Sequence, residues 1–197
     1  RPDWDGSEPL KLPIEKLNAL RTVAAINLPH SFYASSPTEM ILIPRTAAWG
    51  PFGGQLIVGE MNTGRVLRLL PEQVDGVWQG ACYPFREGLG TGILAVHFTP
   101  RGQLIAGGTN RGWGSRGPRP FALERLRWTG KTPFEILTMT ATSDGFELTF
   151  TESLDRATAE TLESYRIETY TYIYQSTYGS PEVDKTTPEI KSATLSI

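Results

Sequence analysis

The chain has 197 residues, enough for one large domain or two small ones, and 39% hydrophobic residues give it material for an ordinary core. A net charge of −2 offers no electrostatic basis for binding nucleic acid or an anionic membrane surface. No apolar run approaches the length of a membrane span, no signal-peptide pattern is written in these residues, and Cys82 as sole cysteine excludes an internal disulfide, a four-cysteine zinc site and a CxxCH haem attachment.

With 20 glycines and 15 prolines, the chain favours many turns over long helices. Residues 1–27 read as a polar linker or entry arm with one short amphipathic stretch at 14–20. The sequence opens on Arg1 rather than Met, and is expected to be a processed form or an excised piece. A loop at 28–33 leads to Glu39-Met40-Ile41-Leu42-Ile43-Pro44, an apolar run that predicts a buried strand. Trp49 to Gly54 is a tight turn. Leu56-Ile57-Val58 and Val66-Leu67-Arg68-Leu69 then form a hairpin around Asn62-Thr63-Gly64. An outer strand is expected over residues 76–85, and a compact apolar strand at Ile93-Leu94-Ala95-Val96-His97-Phe98.

A repeat organises this region. Residues 54–64 and 102–112 both read G-Q-L-I-x-G-x-x-N-x-G, and Gln103 follows Gln55 by 48 residues. A period of that size containing short strands points to a stacked β architecture such as a propeller. A second strand at 121–128 closes the later copy. The character changes at Thr129-Gly130-Lys131-Thr132-Pro133, after which glycine thins and threonine rises. Strands are expected at 134–141 and 145–151, joined by Ser143-Asp144-Gly145, then a short helix or turn at 154–163 and a long strand from Ser164 to Tyr174. A last strand begins at Ile190. The reading is all-β: an entry arm at 1–27, a partial β-propeller of two to three blades at 28–130, and an incomplete Ig-like β-sandwich segment at 131–197. A propeller closes only when its first and last blades meet, so the chain is expected to be part of a longer polypeptide, or to need another chain.

The runs Gly50-Pro51-Phe52, Gln79-Gly80-Ala81-Cys82-Tyr83-Pro84-Phe85-Arg86, Thr109-Asn110-Arg111-Gly112-Trp113-Gly114-Ser115 and Trp128-Thr129-Gly130-Lys131-Thr132-Pro133-Phe134-Glu135 resemble the sorbosone/glucose-dehydrogenase-like β-propeller of large secreted multidomain bacterial proteins. Residues 144–151 and 178–184 are similar to the module that follows it, so the resemblance spans roughly residues 28–190. It implies the last propeller blades and the start of an Ig-like module, from a secreted or periplasmic parent. It further implies a sugar or polyol dehydrogenase as parent, pyrroloquinoline quinone as its cofactor, and the rest of the polypeptide as partner, including a c-type cytochrome domain. Haem attachment is not encoded in this chain. The enzymes of similar fold use a histidine base and basic side chains on the quinone carboxylates, much of it from blades earlier than these. A non-catalytic glycan- or protein-binding scaffold is the alternative.

The best site candidates are Asn110, Arg111, Trp113 and Arg116. Gly112 and Gly114 allow close approach of backbone to a ligand, the arginines suit a carboxylate, and the indole suits a flat ring or sugar face. The simpler reading is a structural turn with solvated arginines. His97, inside a strand run, reads as a hydrogen-bonded structural histidine and His30 as a surface one, since a base is defined by geometry rather than residue type. Tyr170, Tyr172 and Tyr174 alternate onto one strand face, as in a sugar platform or a covered sandwich face. Glu182, Asp184 and Glu189 lack the spacing of a metal loop.

Overall fold

The computed structural model describes residues 15, 16, 19, 22–30, 32–46, 49–112, 114–173 and 179–196. They divide into two compact units, one of residues 24–164 with 192–197, the other of residues 1–23 with 165–191. The protein is all-β, built from several small antiparallel sheets.

In the larger unit, β1 (Pro37–Leu42), β2 (Leu56–Glu60), β3 (Arg65–Val74) and β4 (Val77–Arg86) form a sheet in sequential order. The strands β5 (Ile93–Phe98), β6 (Leu104–Thr109) and β7 (Phe121–Leu126) form a second sheet, again in sequential order. A hairpin of β8 (Ile136–Ala141) and β9 (Phe146–Phe150) follows. The smaller unit contains the ladder β10 (Thr169–Tyr172) and β11 (Glu182–Thr186).

The sequence repeat is a repeat of pairing. Gln55 and Gln103 each stand one residue before the strand that lies between two neighbours. Ile57 pairs with Ile41 on one side and Arg68 on the other; Ile105 pairs with His97 and Arg125. The copies differ in their second connection, which is the tight turn 61–64 in the first and the loop 110–120 in the second.

Strand alternation gives each sheet two distinct faces. The face of the first sheet carrying Ile41, Ile57 and Val66 packs on Val96, Phe98, Leu104 and Ala106 of the second. Glu39 secures the contact by accepting from Val96 N at 2.7 Å, and Thr38 Oγ1 donates to Ile93 O at 2.8 Å. The opposite face, with Val58, Leu67 and Leu69, is covered by Ile26, Leu28, Tyr33 and Ala34. In repeat register, Leu104 and Ala106 occupy the places of Leu56 and Val58. The sheets therefore stack front to back.

Trp49, Phe52, Phe85, Phe98 and Trp128 fill one end of this junction, with ring centroids 5.4–6.4 Å apart. Trp49 Nε1 donates to Gly102 O at 2.6 Å, tying the turn before β2 to the turn before β6. Gly50 has φ +57, and a Cβ there would lie 2.5 Å from Trp128 Cζ2, so the indole packs against bare backbone.

Arg68 fixes the hairpin to the first sheet. It is 1% exposed, in the middle of β3. Its Nη1 donates to Gln55 Oε1 at 2.8 Å and to Leu137 O at 2.9 Å, and its Nη2 donates to Ile136 O at 2.5 Å. Glu135 lies 3.6 Å from Nη2, and the guanidinium sits 4.8 Å from the Phe52 ring centroid and 5.2 Å from that of Tyr83. Burial lowers its pKa and Glu135 counters the effect; an arginine remains a cation throughout. Glu72 adds a second tie by accepting from Ala141 N at 3.1 Å.

Four expectations need correction. The run at 39–44 is buried only on one side: β1 is the edge of its sheet, with Met40 and Leu42 each 55% exposed, while Ile41 packs on the core and Ile43, just past the strand, is 1% exposed. The long strand from Ser164 contracts to Thr169–Tyr172, after a 3₁₀ turn at Leu162–Ser164, because β11 offers only five residues to pair with. No strand forms at 190–196; Leu195 N instead donates to Glu160 Oε1 at 3.3 Å, and Arg156 Nη1 donates to Leu195 O at 3.4 Å. The strand after Asn62-Thr63-Gly64 runs on through Pro71, opposite Gly80, to Val74. The helix expected within 154–163 forms at Arg156–Ala159, capped by Asp155 Oδ1, which accepts from Thr158 N at 2.9 Å. The amphipathic stretch at 14–20 lies largely outside the described residues; Glu15, Lys16 and Ala19 are helical.

Arg68→Ala is expected to lower unfolding free energy by about 3 kcal/mol, because it leaves buried carbonyls without a donor. Arg68→Lys should recover little, since an ammonium lacks the planar fork. Urea denaturation midpoints for the three proteins check both statements.

Candidate functional site

The loop 110–120 carries the residues that the sequence singles out. It leaves β6 at Asn110, whose backbone N donates to Pro120 O at 3.0 Å and so closes the loop at its base. The Asn110 side chain reaches Gly117 O at 3.5 Å. From there the loop lies across the β2–β3 turn of the first sheet. Arg116 N donates to Asn62 O at 2.9 Å, and Asn62 Nδ2 donates to Gly114 O at 2.9 Å. Arg119 N donates to Gly90 O at 2.8 Å. The two asparagines of the repeat thus have different tasks: Asn110 braces its own loop, whereas Asn62 anchors that loop to the neighbouring sheet.

Arg111 and Arg116 are both exposed. Arg116 borders a shallow groove of about 230 Å³ whose other walls include Thr63, Gly64, Arg65, Glu87 and Gly117. Arg65 is already engaged there, 3.0 Å from Glu87 Oε1 and donating to Phe32 O at 2.7 Å. Arg116 is therefore the cation of the groove that remains turned to solvent. Arg111 does not line it, and Trp113 lies outside the described residues.

The remaining candidates are dispersed. His97 lies within β5, as the strand run predicts, and is exposed on its outward face, because alternation turns it away from Val96 and Phe98. His30 sits in an isolated bridge with Ala34. Tyr170 and Tyr172 share a face of β10, with ring centroids 5.4 Å apart and planes at 75°, and Lys185 Nζ lies 5.7 Å from the Tyr170 ring centroid. Such an edge-to-face pair offers no flat platform. Tyr174 and Tyr178 lie outside the described residues. Among the described residues, no group of three or more His, Cys, Asp or Glu is placed to hold a metal ion. Among the same residues, no helix is long and apolar enough to cross a membrane.

Sequence reasoning missed the groups with the most constrained surroundings. Glu60 is 0% exposed at the end of β2. Its carboxylate accepts from Ser35 N at 2.9 Å, Ser36 N at 2.6 Å, Thr63 Oγ1 at 2.5 Å and Thr63 N. Burial alone raises its pKa, but the Thr63 hydroxyl and three backbone donors outweigh it and hold the carboxyl below its ordinary 4.5. A carboxylate so saturated is a structural clasp between the β2–β3 turn and residues 35–36. At Cys82, burial pushes the thiol up to about 11, which disfavours the thiolate that a nucleophile needs. The available signal for Glu60 was its contrast with Gly108 at the same place in the second copy.

No family model, curated protein or solved structure matches the chain.

The folded pKa of Glu60 lies below its unfolded value. Its contribution is therefore fully present above pH 4.5 and disappears as pH falls through the folded value. Thermal melts from about pH 6 down to about pH 3 should show a steeper fall for the native protein than for Glu60→Gln, which is the less stable of the two at neutral pH. Cys82 should alkylate much more slowly than free cysteine at pH 7 in the folded protein and at the ordinary rate in urea, as followed by mass spectrometry.

Proposed function

We propose that this chain is a structural section of a secreted or periplasmic sugar or polyol dehydrogenase-like β-propeller protein, supplying two blades and the segment that follows them. The supporting observation is the repeat itself. Two sheets with the same pairing register stack front to back, as successive blades of a propeller do. The resemblance of residues 28–190 to the sorbosone/glucose-dehydrogenase-like family gives the reading its chemistry. In this role the buried charges Arg68 and Glu60 serve the scaffold, each engaged mainly with backbone groups. Chemistry, with pyrroloquinoline quinone as the cofactor, belongs to other blades of the parent, and a c-type cytochrome domain there would take the electrons. The residues after Pro133 are the beginning of an Ig-like module. Within this chain the contribution to a site comes from the exposed arginines of the 110–120 loop, Arg116 above all.

A purely binding scaffold is the competing class. The test uses the complete open reading frame that contains this sequence, loaded with pyrroloquinoline quinone and offered a panel of sugars and polyols with an artificial electron acceptor. Sugar-dependent dye reduction is expected from that protein and none from the 197-residue chain. Arg111→Ala and Arg116→Ala in the complete protein should weaken turnover without unfolding it, by about tenfold where a carboxylate contact is lost. Absence of bound quinone and of turnover in the complete protein would leave the scaffold class standing.

A further inference from the structure

We infer that the outward face of the second sheet, centred on Phe121 and Leu123 of β7, is the seat of a third sheet of the same repeat, carried by polypeptide beyond these 197 residues. The inference rests on reading the chain as part of a larger stack, and deepens it by naming the face, its chemistry and its occupant.

Register equivalence carries the argument. In the first sheet, one face is formed by Ile41, Ile57, Gly59 and Arg68, and it is buried by the second sheet and by β8. Pairing places His97, Ile105, Gly107 and Arg125 at the same positions of the second sheet. Ile57 is 0% exposed, whereas its equivalent Ile105 is only half-buried, and among the described residues of the larger unit no sheet covers that face of the second sheet. There, Phe121 is 73% and Leu123 78% exposed, beside exposed Ala95, His97 and Arg125. Two adjacent large apolar side chains on an edge strand, both outward, form a patch that soluble proteins seldom leave open.

Details of the occupied face recur on the open one. Gly59 leaves room for Ile93 of the covering sheet, for a Cβ there would stand 2.7 Å from Ile93 Cγ2. Gly107 presents the same notch, bordered by Leu123 of its own sheet. Arg68 on the covered face clamps main-chain carbonyls of the neighbouring hairpin, whereas Arg125, its counterpart, has no ion-pair partner among the described residues. The first sheet also has a fourth strand beside β3, while among the described residues no strand pairs with the corresponding edge of β7. The occupant is thus a short antiparallel sheet with an aliphatic face like that of Val96, Leu104 and Ala106, bringing a β-branched side chain to the Gly107 notch as Ile93 does to Gly59. It continues the packing already made between the first and second sheets.

Hydroxyl-radical footprinting, read by mass spectrometry, tests this on the 197-residue chain and on the product of the complete open reading frame. Phe121 and Leu123 should label readily in the first, and lose that labelling in the second. Leu123→Glu should leave the melting temperature of the 197-residue chain unchanged and lower that of the complete protein. Equal labelling in both proteins overturns the inference, as does a reading frame that encodes no further residues. A discrete dimer of the 197-residue chain in sedimentation, with Phe121 and Leu123 protected, also overturns it, because the occupant is then a second copy. Turnover is not consulted. A protected face without dye reduction counts against the dehydrogenase reading alone, and dye reduction with a freely labelled face counts against the docking alone.

Discussion

A guanidinium inside an apolar sheet is costly unless its charge is hydrogen-bonded, and Arg68, whose two terminal nitrogens are bonded while its Nε is buried without a partner, is the point on which the larger unit turns. It is enclosed by Phe52 and Tyr83, and three acceptors meet its terminal nitrogens: the Gln55 amide and two carbonyls of β8. Gln55 reinforces the clamp by donating to Leu137 O at 3.0 Å. Without it, β8 and β9 would keep only the Glu72 tie and the packing of Leu137, and a two-stranded hairpin is marginal in water. With it, the hairpin belongs to the first sheet despite sharing no strand pairing with it. The break in composition at residues 129–133 marks a change of sheet, while the compact unit continues to Ser164.

Glu60 performs the complementary task at the other end of β2. One end of the strand is held by a buried cation that donates to carbonyls, the other by a buried anion that accepts from amides. Both charges are matched chiefly to main-chain dipoles, with Glu135 the partial exception at 3.6 Å from Arg68. Buried ions are tolerated when hydrogen-bonded in this way, and they penalise alternative registers, because a shift of one residue would turn each charge to the opposite face.

The sequence made the stacked sheets legible because local and global signals agreed there. The G-Q-L-I strings begin the central strands at Leu56 and Leu104, and the glycines and asparagines fall in the connections. Arg68 and Glu60 were not legible, for a charged residue within a strand ordinarily alternates to solvent, and only the covering sheet and hairpin make these positions interior. The strand from Ser164 was overextended because alternating Thr, Tyr and Ile state a preference for β structure without stating what pairs with it. For the candidate loop, the string from Asn110 to Arg116 revealed a turn but not its use as a bridge to Asn62, which depends on the sheets being neighbours. Of the residues expected to converge there, Arg116 borders that groove, and Asn110 and Arg111 do not line it.

The grip of Arg68 on β8 has a bearing on how such a chain changes over generations. Arg68 holds Ile136 and Leu137 by their carbonyl oxygens, which every amino acid possesses. Side chains at those two positions are thus free of the requirement to match the guanidinium, and constrained only by packing. A junction read through the main chain allows the segment beyond it to drift in sequence, or to be exchanged for another hairpin, while the attachment persists. The burden of invariance falls instead on Arg68, Gln55 and the two aromatic rings that enclose them.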